Sequence, residues 1–213
     1  MSVLLQRDAT ESGEAPRNFA QMKQPKPNEK IAALEVDRHK VVEAILFLLD
    51  NFVGFSQYDI VKTLFLADKS HLKKYGRPIT FDTYFAMENG PVPSFAYNIL
   101  KLDFDFKKEF GEERPWVSVP VPNKPNVNKF VGVKRQPRYG VLSQTDTETL
   151  REAGGTIQLL DFDQVRRLTH EDPAYKEAWA RRGDAKTAQM KVQLLGASDK
   201  LVDDLIYISK HVA

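Results

Sequence analysis

The chain has no cysteine. That excludes disulfides, zinc–thiolate sites and thiol nucleophiles, and it fits a reducing cytoplasm. Net charge is nearly absent: 31 Lys and Arg stand against 29 Asp and Glu, so bulk charge points to neither nucleic acid nor a membrane surface. The longest apolar run, residues 41–49, is interrupted by Glu43 and is too short to span a bilayer, which makes it a buried helix. The N-terminus lacks the basic start and long apolar stretch of a signal peptide. No glycine-rich phosphate loop follows a strand. Gly154-Gly155 lacks the continuation that nucleotide loops need, so no cofactor is expected.

What is present reads as one folded domain, residues 35–213, behind a polar, flexible extension, residues 1–34, that carries Pro16, Pro25 and Pro27. A first helix is expected over 35–51, central to the core because its apolar residues nearly encircle it. Ser56 and Asp59 form a capping box that starts a second helix, arranged with the first as a helical hairpin. Residues 83–87 read as a short strand, 94–102 as a third helix, and 115–144 as short antiparallel strands with long loops. Ser143 with Asp146 opens another helix, which Gly154-Gly155 should end. Asp161 caps a helix with Phe162, Val165 and Leu168 on one face. Asp172-Pro173 starts the next, and Ser198 the last, which buries Leu201, Val202, Leu205, Ile206 and Ile208. The fold class is therefore α+β and mainly α-helical: a compact helical core with a small antiparallel sheet or hairpin.

The densest stretch runs from Tyr75 to Ser94. Gly76 suits the left-handed position beyond a helix, and Pro78 forbids further helix and biases Arg77 to extended geometry. Gly90-Pro91-Val92-Pro93 reads as a rigid turn, either setting the angle of the third helix or presenting a contact ridge of low entropy. Asp68 lies on the apolar row of the second helix, with His71 one turn on, and a structural Asp–His pair is preferred over two metal ligands because no third ligand is near. Thr169-His170-Glu171-Asp172 reads as the polar approach to a helix, with His170 bonded to loop backbone, and not as a catalytic group lacking a nucleophile.

These pieces carry a resemblance. Tyr75-Gly76-Arg77-Pro78-Ile79-Thr80, then Ala86-Met87, then Gly90-Pro91-Val92-Pro93-Ser94 opening a helix, resemble the central signature of the Panacea domain, the SocA-like antitoxin family. The similarity continues upstream through Leu64-Phe65-Leu66-Ala67-Asp68 and downstream through residues 168–179, covering about 36–210. Asn89 stands where many members carry an aromatic. The resemblance implies a non-enzymatic antitoxin that binds a cognate toxin protein, with delivery of that toxin to a ClpXP-type protease as one mode of action. It implies neither metal nor cofactor.

Residues 115–144 hold Lys124, Lys129, Lys134, Arg135 and Arg138 and no acidic residue, with Trp116, Phe130 and Tyr139 interleaved. The basic set is either solvated edge protection or a patch for an acidic partner, and a protein is preferred over nucleic acid because no nucleic-acid module appears. Expected partner contacts are Arg77, Pro78, Thr80, Tyr84, Asn89, Pro91, Val92, Pro93, Lys129, Lys134, Arg135 and Arg138. Asp68, His71, Gly76, Gly90, His170, Asp172 and Pro173 are expected to be structural. The alternatives are a DNA-binding regulator of its own operon, resting on the basic segment alone, and a hydrolase using Asp68, His71 or His170.

Overall fold

The computed structural model describes residues 33–121 and 128–212. The expected N-terminal extension lies outside the described residues except for its end, where Leu34 is buried.

Helix α1 (Arg38–Asn51) starts three positions later than expected, because Asp37 caps it by accepting the Lys40 N–H at 3.0 Å. The residues before it are held extended: Glu35 N donates to Ser209 Oγ at 3.1 Å and Asp37 N to the Thr80 carbonyl at 2.9 Å. Residues 41–48 of α1 are all buried, as the encircling apolar pattern requires. Helix α2 (Gln57–Tyr75) opens on the Ser56–Asp59 capping box and closes at Gly76, whose φ of 76° is left-handed. It packs chiefly along α5 (Gln144–Gln158) and meets α1 only in part, so α1 and α2 do not form the expected hairpin. Both faces of α2 are buried, one in a core built on α1 and α5, the other in a second core with Phe81, Tyr84 and the C-terminal helices.

Strand β1 (Tyr84–Met87) pairs antiparallel with β2 (Gly90–Pro93) across a two-residue link, Glu88-Asn89. The stretch read as a rigid turn is thus a strand, and the turn lies just before it. Pro91 and Pro93 take alternate positions of β2, an edge strand, so their missing N–H groups cost no ladder bond. Two short helices follow: α3 (Ser94–Ile99) and α4 (Phe106–Phe110), the latter capped by Asp105. Then β3 (Trp116–Pro120) and β4 (Asn128–Val133) form a separate antiparallel pair with a bulge after Val117.

Helix α5 runs straight through Gly154-Gly155, where a stop was expected. A Cβ on Gly154 would sit 2.4 Å from the Phe52 ring, so that glycine serves a close approach. Asp161 caps α6 (Phe162–His170), yet Phe162 and Leu168 are exposed and it is Val165 with Thr169 that face inward. Asp172 and Pro173 open α7 (Pro173–Arg181). After β5 (Ala188–Gln189), which pairs with β1, and α8 (Val192–Leu195), Ser198 caps α9 (Asp199–Val212). Ile208 faces solvent there, and the neighbouring Ser209 takes the inward position through its bond from Glu35.

Candidate functional site

The loop that leaves α2 is bound back onto the helix it has just left. Asp68 is fully buried and accepts four hydrogen bonds: from Ile79 N at 2.8 Å, Thr80 N at 3.0 Å, Thr80 Oγ1, and Tyr84 Oη at 2.8 Å. Burial raises the Asp68 carboxyl pKa, and the four donors oppose that rise. His71 grips the same loop from the other side. Its Nδ1 lies 2.8 Å from the Arg77 carbonyl, which can only accept, so that nitrogen carries the proton. Burial holds the ring below its usual pKa, and Nε2 takes the Thr145 hydroxyl at 3.1 Å. Asp68 and His71 are therefore not bonded to each other, as a helical pair would be. One turn apart, they bind one loop at Arg77 and at Ile79 with Thr80.

Phe81 and Asp82 complete this knot. Phe81 holds a φ of 55°, strained for a bulky side chain, and its ring is buried. Asp82 accepts from Phe95 N at 3.0 Å and Ala96 N at 2.9 Å, fixing the start of α3. Burial pushes its carboxyl up to about 7, against the pull of those two N–H groups. A cavity of about 20 Å3 lies beside Asp68 and Asp82, walled by Leu34, Leu72, Met190 and Leu195; it is the size of a water molecule, not of a metabolite.

The tip of the β1–β2 hairpin is clamped from three elements. Lys62 on α2, 1% exposed, donates from Nζ to the Pro91 carbonyl at 2.8 Å, and its ammonium lies 5.1 Å from the Tyr58 ring centroid. Tyr175 Oη donates to the Met87 carbonyl at 3.0 Å, and the His170 ring bonds to Glu88 backbone. Gly90 has a φ of 98°, and a Cβ there would stand 2.8 Å from Thr169 Oγ1 and 3.0 Å from Lys62 Nζ. No other residue type fits. His170 is the last residue of α6 and not part of a loop, but its bond to backbone is as expected. Asp172 does cap α7, accepting from Ala174 N at 2.9 Å, and also takes Lys69 Nζ.

Several expected partner contacts are thus interior. Pro78, Thr80, Tyr84, Pro91, Val92 and Pro93 are buried within the fold, because the motif closes on α2, α6 and α7. Arg77 is half-buried and donates to Asp146 Oδ1 at 2.9 Å, inside the capping box of α5. Asn89, at the hairpin tip, is exposed.

The basic segment divides in the same way. Arg135 makes two bonds to Glu43, at 2.7 and 2.9 Å, and Arg138 donates its N–H to Glu43 Oε2 at 2.7 Å. The Arg138 guanidinium reaches Glu112 at 3.2 Å. Both arginines are engaged at home. Lys129 and Lys134 remain exposed, while Lys124 lies outside the described residues. Trp116 and Phe130 are core residues of the sheet, and Tyr139 is exposed.

Lys62, Asp82 and Glu43 were not anticipated from the sequence. Each is a polar residue buried by contacts distant along the chain. Glu43 alone left a signal, as a carboxylate inside an apolar run. Among the described residues, no three His, Asp or Glu side chains converge as a metal site. No helix among them is long and apolar enough to cross a membrane.

Comparison with known proteins adds a family. Neither curated proteins nor solved structures gave a match. The family described as "Antitoxin SocA-like, Panacea domain" matches residues 60–176, more than half of the 213 residues, from the first turn of α2 to the first turn of α7. That span contains the loop bound to Asp68 and His71, the clamped hairpin, and the Thr169–Asp172 junction that holds it. The chain belongs to the SocA-like, Panacea-domain antitoxin family.

Proposed function

We propose that this protein is a non-enzymatic, cytoplasmic antitoxin that neutralises a cognate toxin by binding it directly. The observation that carries this reading is the family match across the whole knot-and-hairpin unit. The geometry is consistent with it: Asp68, His71 and His170, the residues a hydrolase would use, each hold loop or hairpin backbone, and Asp68 and His71 spend their remaining polar atoms on side-chain hydroxyls. The motif then acts as scaffold, and the toxin is selected by surface outside it, including Asn89 at the hairpin tip and the lysines of the β3–β4 segment. Adaptor-type delivery of the bound toxin to a ClpXP-type protease is the second mode the family implies. A DNA-binding role loses support, since Arg135 and Arg138 are held by Glu43 and Glu112.

The test is growth on inducing the adjacent reading frame alone and together with this chain, followed by affinity capture. Rescue with the neighbour retained stoichiometrically supports neutralisation by binding. Rescue with the neighbour lost in a protease-dependent way supports delivery. Absence of toxicity and of any complex sinks the antitoxin reading, and salt-dependent binding to the chain's own promoter would then favour the regulator.

A further inference from the structure

An antiparallel sheet with one covered face puts apolar side chains inward and polar ones outward. The β3–β4 hairpin obeys this only on its inner face, where Trp116 and Phe130 are buried. On the other face of β3, Val117 and Val119 are 38% and 41% exposed, and Val131, at the bulge of β4, is 55% exposed. β4 is bridged on its far side to Ser56, so β3 is the outer strand among the described residues. Two valines on the outer face of β3, with a third exposed at the bulge of the neighbouring strand, leave apolar surface of the kind that marks a docking site.

Charge narrows the occupant. Lys129 stands directly across from Val119, and Lys134 follows the end of β4; both are exposed. The hairpin carries no acidic residue; Glu43 and Glu112 are taken by Arg135 and Arg138, and Asp59, beside the Ser56 bridge to Lys129, is bonded to Ser56. Among the described residues the face is apolar and rimmed by two lysines that form no ion pair. We propose that the toxin docks here, laying apolar side chains on Val117, Val119 and Val131 and placing acidic ones against Lys129 and Lys134. This rests on the antitoxin reading and adds the surface and the chemistry of its partner.

The experiment uses the full chain co-expressed with the product of the adjacent reading frame. One variant combines Val117→Thr, Val119→Thr and Val131→Thr, which keeps β-branching and the strand while removing apolar surface. A second combines Lys129→Glu with Lys134→Glu, and Phe162→Ser on α6 is the control for loss of an exposed apolar group elsewhere. Expected are unchanged melting temperatures, binding weakened about tenfold or more in each hairpin variant, and loss of growth rescue. The wild-type association rate should fall with salt, and the charge-reversed variant should lose that dependence. Wild-type rescue with both hairpin variants binding as tightly as wild type overturns the inference and leaves the antitoxin reading standing. A wild-type dimer dissolved by the threonine variant, with toxin affinity unchanged, overturns it in favour of self-association. Failure of the wild type to rescue or bind removes the antitoxin reading and the inference with it.

Discussion

Arg135 meets Glu43 through both terminal nitrogens, at 2.7 and 2.9 Å, across ninety-two positions of chain, and so ties the basic segment to the central helix α1. The Glu43 side chain is only 3% exposed, and the Arg138 N–H supplies a third bond. A charge placed in the middle of an apolar helix is tolerable there because a partner from the β3–β4 region arrives to meet it.

Removing that carboxylate leaves Arg135 with Glu112 at 3.6 Å and the Gln136 carbonyl at 3.1 Å. Glu43→Ala should lower unfolding free energy by about 3 kcal/mol at neutral pH. Burial alone would raise the Glu43 carboxyl, but the Arg135 and Arg138 bonds outweigh it and the net pKa is lowered. The sign follows: the stabilisation is present above the ordinary carboxyl value and is lost as pH falls through the lower folded value. Urea titrations of wild type and variant should therefore converge toward acid. A gap that stays constant to pH 3 or so would contradict the ion-pair account.

The capping boxes at Ser56 and Ser143, the caps at Asp161 and Asp172, and the encircled helix α1 were legible because each is a local pattern within one or two turns. The family signature was legible for the same reason, being nearly contiguous. What its residues touch was not. A Pro-Val-Pro run reads the same whether it lies on a surface or, as here, against α2 and α6. Asp68 and His71 looked like partners because helical spacing brings them near, but spacing does not say that a loop six to twelve residues on will supply better partners. Arg135 and Arg138 looked free because Glu43 is far away in sequence.

Asp68 should be the most sensitive polar position of the fold. Asparagine keeps the shape but offers an NH2 where the Thr80 and Tyr84 hydroxyls or two backbone N–H groups need an acceptor. Asp68→Asn is expected to cost about 3 kcal/mol, and Tyr84→Phe, which removes a single donor, about 1 kcal/mol. Chemical denaturation of both variants decides this. Equal costs would mean that the Tyr84 bond dominates and the loop amides contribute little.

Lys62 gives a prediction with the same pH sign as Glu43, but in a neutral-to-alkaline window in place of an acid one. Burial takes its ammonium pKa down to about 7, well below the ordinary 10.5. Between those values the unfolded chain holds a proton that the folded chain has released, so stability rises with pH across that window. The rise from this one group is on the order of 4 kcal/mol. Lys62→Met keeps similar volume, loses the bond to the Pro91 carbonyl, and has no such slope. The difference in unfolding free energy between wild type and variant should grow in favour of wild type from pH 7 to pH 10 or so. A flat difference would place the Lys62 proton elsewhere than this burial implies.

Two adjacent glycines of α5 should respond in opposite directions. Gly154 faces Phe52 so closely that a Cβ would come within 2.4 to 3.0 Å of three ring carbons, and that ring is itself stacked on Phe55 at 4.9 Å. Gly154→Ala must displace a packed aromatic pair and should cost about 2 kcal/mol. Gly155 has open space around its Cβ position and sits in the same continuous helix. Gly155→Ala should stabilise by about 0.5–1 kcal/mol, since alanine loses less backbone entropy in a helix. Had Gly154-Gly155 ended the helix, as the sequence pattern suggested, alanine at either position would disturb a cap and both variants would be destabilised. Urea midpoints of the two single variants, at unchanged slope, distinguish a helix that passes through the pair from one that stops there.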